Sequence, residues 1–96
     1  MNGLTLIILS PEGERARVEC DSVTVFARDD ARGEGGGSVG IRRGHIPAVI
    51  ALENNSRVTA KSAGSIVSEH IVSGGFARVK DNTVTVISAD TSLEKK

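Results

Sequence analysis

Reactive side chains are scarce in this chain. His45 and His70 are its only histidines and Cys20 its only cysteine. A zinc site gathers soft ligands from short-spaced pairs, and with no second cysteine and no His-x-x-x-His spacing no metal site is expected. A Ser-His-Asp set can be drawn on paper from the many serines, but nothing reads as the strand-to-helix nucleophile elbow that presents such a serine. His45 therefore reads as a turn histidine at a contact surface. Gly35, Gly37 and Gly40 satisfy G-x-G-x-x-G, a spacing that lets backbone amides approach a pyrophosphate where a helix follows. Here Ile41, a basic turn and Pro47 follow instead, so the expected role is a loop that bends sharply into a strand. For Cys20 two readings compete, a thiol nucleophile and a buried structural cysteine. Ala16, Val18 and Cys20 share one face of an alternating segment, which favours the buried one.

The stretch from Gly35 to Leu52 is the part of the chain whose residues are chosen for something besides filling a sheet. A glycine run leads to Val39 and Ile41, then to Arg42-Arg43-Gly44-His45, then to Ile46-Pro47 and an apolar strand. Glycine reaches positive φ cheaply and proline locks φ, so this composition fixes an unusual backbone path.

The surrounding elements read as short strands. Leu4 to Ser10 is apolar on both alternating faces, as a strand covered on both sides would be. Arg15 to Cys20 alternates, with Ala16, Val18 and Cys20 inward and Arg15, Arg17 and Glu19 outward. Val23, Val25 and Ala27 share one side of the next strand. Arg28 to Gly37 is polar and glycine-rich, an exposed loop where flexibility should peak. Glu53 to Ser56 forms a turn, Arg57 to Ala60 a short strand, and Ser65 to Ser73 a β-rich run interrupted by a bulge or sharp turn at Gly74-Gly75. Asp81-Asn82 fits a type I′ hairpin between Phe76–Lys80 and Thr83–Ser88. That register sets Ala77 opposite Val86 and Val79 opposite Val84, all on one face. From Asp90 on the chain is polar and expected to fray.

No segment carries apolar residues at helical spacing over ten or more positions. The fold class is all-β, and eight or more short strands with frequent turn signals favour a two-sheet sandwich over a barrel. The 96 residues make one domain whose core must be built from Val, Ile, Leu and Ala, because the aromatic residues are just Phe26 and Phe76. Twelve basic and twelve acidic side chains cancel, so nucleic acid is not an expected partner. Leu4 to Leu9 is too short to span a bilayer and lacks the flanks of a signal peptide, so a soluble chain without lipid insertion is expected. A single cysteine fits a reducing, intracellular compartment. Asn54-Asn55-Ser56 matches a glycosylation acceptor, discounted in that setting.

Two segments carry a family likeness. GSVGIRRGHIP resembles the GELGILPGHAP segment of the epsilon subunit of F-type ATP synthases, and VSGGFARVKDNTVTVISADT resembles its LSGGILEVQPNxVTVLADT segment. They stand at the family's spacing, and the likeness runs from about Leu4 to Ser92. The glycine-serine variant is similar to epsilon subunits of the alternate, often sodium-linked, branch. Two departures stand out: Arg43 replaces the proline that usually precedes Gly-His, and the chain stops soon after Asp90-Thr91, without the family's C-terminal helical hairpin.

The resemblance implies a sandwich of about ten strands over residues 1–92, with a polar tail at 93–96. It implies a non-catalytic rotor subunit at the foot of the central stalk, linking the gamma subunit to the membrane rotor ring on the cytoplasmic side of a bacterial inner membrane, with proton or sodium coupling left open. By position Ser10, His45 and Ile50 match gamma-facing residues, and Gly36, Gly37 and Ser38 match the loop that meets the ring. No cofactor is implied. Without the hairpin, neither inhibition by an extended helix nor ATP sensing is expected. The alternative class is a free-standing ligand-binding module or enzyme that uses the loop from Gly35 to Gly40.

Overall fold

The computed structural model describes residues 3–28, 37–88 and 91–93, the last three by their backbone alone. Ten strands follow one another: β1 (Leu4–Ser10), β2 (Gly13–Cys20), β3 (Ser22–Ala27), β4 (Gly37–Arg42), β5 (Ala48–Ala51), β6 (Ser56–Ser62), β7 (Ser65–Val72), β8 (Phe76–Lys80), β9 (Thr83–Ile87) and β10 (Thr91–Leu93). They form two five-stranded sheets, ordered β2-β1-β9-β8-β5 and β10-β7-β6-β3-β4, which we call the first and second sheet. The architecture is the all-β sandwich expected.

Alternation builds the core. Leu4, Leu6 and Ile8 from β1, Val84 and Val86 from β9, and Ala77 and Val79 from β8 face Val23 and Val25 from β3, Ile41 from β4, and Val58 and Ala60 from β6. Each fully buried Val, Leu or Ile contributes about 1.5–3 kcal/mol relative to exposure. Neither aromatic residue belongs to this cluster: Phe26 is half-buried and Phe76 exposed. Cys20 is fully buried, as its strand pattern required.

The hairpin at Asp81-Asn82 takes the predicted register, Ala77 with Val86 and Val79 with Val84. Both turn residues lie at positive φ, 53° and 59°, the type I′ geometry that matches strand twist. Gly74 and Gly75 also sit at positive φ. At Gly75 a Cβ would collide with the carbonyl oxygen of Ile87 and lie 3.0 Å from Ser88 Cα, so backbone crosses backbone here. The carbonyl of Gly75 accepts from Leu52 N at 3.0 Å, tying the start of β8 to the end of β5.

Three expectations change. The strand at Leu4–Ser10 is not covered on both sides, because Thr5, Ile7 and Leu9 are only half-buried on the outer face. The polar stretch after Asp90 pairs rather than frays: Thr91, Ser92 and Leu93 run antiparallel to Val72, Ile71 and His70 of β7, satisfying backbone groups on an open edge. The long loop is shorter at its end than read, since Gly37 opens β4; residues 29–36, where flexibility was expected, fall outside the described residues.

Candidate interaction surface

The turn between β4 and β5 is held from two sides. Arg42 O accepts from His45 N at 3.1 Å, closing the turn, and Gly44, at φ +85°, supplies the reversal. Gly44 N donates to Asn82 Oδ1 at 2.7 Å, so the second hairpin's turn side chain fixes the first turn in place. His45 Nδ1 lies 2.7 Å from the carbonyl oxygen of Ile46. A carbonyl only accepts, so Nδ1 carries the proton and Nε2 is left as an acceptor. Among the described residues, no carboxylate or hydroxyl is shown bonded to that ring; its recorded partner is the backbone carbonyl of Ile46.

Ser38 stands in the regular strand β4, opposite Phe26. Residues 36–40 satisfy G-x-S-x-G on paper, a match the sequence reading passed over, but a serine within a strand is not presented at an elbow. Two of the surface depressions are mainly polar. One of about 260 Å³ is lined by Arg78, Lys80, Asp81, Thr83 and Thr85, and another of about 510 Å³ by Asp21, Ser22, Arg42, Lys61 and Gly64. No group of three or more His, Cys, Asp or Glu among the described residues could hold a metal ion.

The outer face of the first sheet is more informative. Leu9, Ile87, Phe76 and Ala51 stand side by side across β1, β9, β8 and β5. One step along, Arg17, Ile7, Thr85, Arg78 and Val49 form the next row. Phe76 is 52% exposed, Ile87 48% and Val49 68%. A contiguous apolar band on the outside of a sandwich is the mark of a surface meant to be covered. Arg78 and Lys80 continue it toward the Asn82 end, and Arg17, held by Glu14 at 3.0 Å, borders it on β2. The Arg17 guanidinium is pushed further up by that bonded carboxylate and stays charged.

The expected gamma-contact residues lie along this sheet, and the expected ring-contact residues lie on β4 of the second sheet. Ser10 closes β1 beside the apolar row, with its hydroxyl accepting from Glu12 N at 3.2 Å. His45 sits at the opposite end, beside Asn82. Ile50 faces the other way: it packs against the core cluster, while its neighbour Val49 is the outward side chain of β5. Gly37 and Ser38 are exposed at the start of β4, toward Ser10's end of the molecule; Gly36 falls outside the described residues. The band itself went unnoticed in the sequence, although the hairpin register already places Phe76 opposite Ile87 on the face away from Ala77 and Val86.

The family pattern for the "ATP synthase, Delta/Epsilon chain, beta-sandwich domain" matches residues 3–94. The chain belongs to this family. It is 33% identical over 88 residues to the ATP synthase epsilon chain of Desulfitobacterium hafniense (strain DSM 10664 / DCB-2), covering 92% of this chain and 59% of that one. To the epsilon chain of Bacillus thuringiensis (strain Al Hakam) it is 34% identical over 90 residues, 93% of this chain and 60% of that one. This epsilon-type domain thus spans about three-fifths of the length of those relatives. Among solved structures it resembles a chain of the Euglena gracilis mitochondrial ATP synthase, OSCP/F1/c-ring, with TM-score 0.73, 19% identity and coverage of 97% and 54%. It also resembles a chain from the central stalk and c-ring of the Tetrahymena thermophila enzyme, with TM-score 0.63, 15% identity and coverage of 94% and 66%. At those identities the structures bear on the fold alone, and it is the same sandwich.

Proposed function

We propose that this epsilon-type domain is a non-catalytic rotor piece of an ATP synthase, seated between the gamma subunit and the membrane rotor ring on the cytoplasmic side of the membrane. The observation that carries the reading is the exposed apolar band Leu9, Ile87, Phe76 and Ala51 with Val49, on a family member whose described residues hold no convergent reactive groups. A buried apolar centre with a charged rim is how protein interfaces are built. Gamma covers this face, with Ser10 at one end and His45 at the other. Ile50 supports the contact from beneath, holding β5 to the core.

The rotor ring meets the end that carries Gly37 and Ser38, with Gly36 before them. Gly37 has φ +109° and open space where a Cβ would stand, so backbone rather than side chain is presented. Coupling to protons or to sodium is a property of the ring and is left open.

Co-purification with gamma tests the reading. The wild-type chain should retain gamma through a salt wash, and Phe76→Asp and Ile87→Asp, each shown to be folded by circular dichroism, should lose it. Failure of the wild-type chain to bind gamma would overturn the assignment of partner.

A further inference from the structure

His70 is a buried titratable group that the proposed contacts do not use. It is 6% exposed, on β7, opposite Val58 of β6 on one side and Leu93 of β10 on the other. Its Nε2 is hydrogen-bonded to the Ser68 hydroxyl, and its Nδ1 is buried with no hydrogen-bond partner among the described residues. In the neutral ring one nitrogen carries a proton and the other a lone pair. Whichever way Ser68 selects the tautomer, a second proton makes both nitrogens donors, and Nδ1–H then points into the sandwich with no acceptor.

Among the described residues, no charged side chain is paired with the ring. The inward residues of β6 and β2, the strands besides β10 that contact β7, are Ser56, Val58 and Ala60 on β6 and Ala16, Val18 and the buried thiol of Cys20 on β2. The charged residues of these strands are Arg15, Arg17, Glu14 and Glu19 on β2, Arg57 and Lys61 on β6, and Glu69 on β7. All lie on outer faces, where Arg57 pairs with Glu69 at 3.3 Å. The β10 segment, Thr91-Ser92-Leu93, brings no ionisable side chain. An uncompensated buried cation is expensive, so proton uptake must be coupled to letting water reach the ring.

The two sides of His70 differ greatly in what opening would cost. On one side β6 and β7 are paired over seven registers and backed by the core. On the other, β10 is held by three registers on a sheet edge. We propose that β10 is a proton-released latch: neutral His70 is sealed beneath the β7–β10 edge, and a proton taken from solvent onto whichever ring nitrogen lacks one lifts β10 away while the rest of the sandwich stays folded.

The direction follows from linkage. Burial lowers the proton affinity of His70 in the closed state below its ordinary value of 6.5. The closed state is therefore fully favoured above pH 6.5 and loses ground as pH falls below it. Protection of the amides of residues 91–93 should fall up to about tenfold between pH 7.5 and 5.5, after correction for intrinsic exchange. Amide exchange by NMR, with ring-nitrogen shifts followed in the same wild-type samples, reads both events. The expected result is loss of β10 protection in step with protonation of His70, while Leu6, Val84 and Val86 stay protected. His70→Gln, which keeps a hydrogen-bonding end and cannot titrate, should make β10 protection independent of pH. Flat β10 protection in the wild type, loss together with the core amides, or an unchanged pH profile in His70→Gln would each overturn the latch; should the variant fail to fold, the wild-type coincidence alone decides.

Discussion

The outer faces of the two sheets are built from the same kind of strand and dressed differently. On the second sheet, Gly40, Thr24, Thr59 and Glu69 stand in one row across four strands, with Thr59 Oγ1 donating to Glu69 Oε2 at 3.3 Å and Arg57 beside them. That row answers its own polar groups and suits water. On the first sheet the corresponding row is Leu9, Ile87, Phe76 and Ala51, which gains nothing from solvent. Strand alternation explains the shared inner faces, whereas the unequal outer faces are what the proposed contact with gamma would account for.

The largest effect should come from breaking the frame that both faces share. Gly75→Val forces a side chain into the backbone of Ile87 at a φ of +98° and should cost about 3 kcal/mol or more, read as a lower urea midpoint. A small shift would mean the β5–β8 junction relaxes easily, and the flat outer face with it.

Next comes a matched pair of charges. Val49→Asp should weaken gamma binding by about 2 kcal/mol, roughly thirtyfold, whereas Thr24→Asp on the other face should leave binding unchanged. Titration calorimetry with purified gamma distinguishes them, and equal losses would erase the distinction between the faces. Ile50→Asp is a poor probe of binding, since its side chain belongs to the interior.

A third measurement probes the interior that separates the faces. Burial, with Asp21 and Glu19 adding to it, pushes the Cys20 thiol above its ordinary value of 9.0. Maleimide labelling of the folded chain at pH 7.5 should be slower than in urea by on the order of 100-fold or more. Because the folded state holds the thiol neutral, its contribution to stability is full below pH 9 and fades as pH rises further. The smallest effect is expected from Arg57→Ala, which removes an exposed pair and should shift stability by no more than about 0.5 kcal/mol.

Much of this was readable without coordinates. Strict alternation in Arg15 to Cys20 and Val23 to Ala27, and the tolerance of Asp81-Asn82 for positive φ, determined inner faces and a register that the structure reproduces. The misses have physical causes. In Leu4–Ser10 the outer residues are apolar because they continue the band on β9 and β8, and a single strand cannot distinguish cover by its own chain from cover by another. The β10 pairing was invisible because Thr91-Ser92-Leu93 owes its place to an open edge on β7 rather than to any pattern of its own. Ile50 was matched to gamma-facing residues by likeness, and its packing against the core was not legible because Ala48, Val49, Ile50 and Ala51 are all apolar and carry no alternation.

The sheet order holds one more consequence, for how the chain comes to be folded. β1 pairs in parallel with β9, Leu6 beside Val84 and Ile8 beside Val86, so β1 must wait until seven intervening strands have been made. Pairings of this sequence separation are slow to form because closing a long loop precedes any gain from the contact. During synthesis the β1–β2 hairpin can close early, but Leu6 and Ile8 then face water beside an unpaired edge until Thr83–Ile87 has left the ribosome. The charged margin of β2, with Glu14, Arg15, Arg17 and Glu19, blunts one side of that nascent hairpin. The side awaiting β9 has no such guard, so it is there that a stalled or truncated chain would stick to its neighbours.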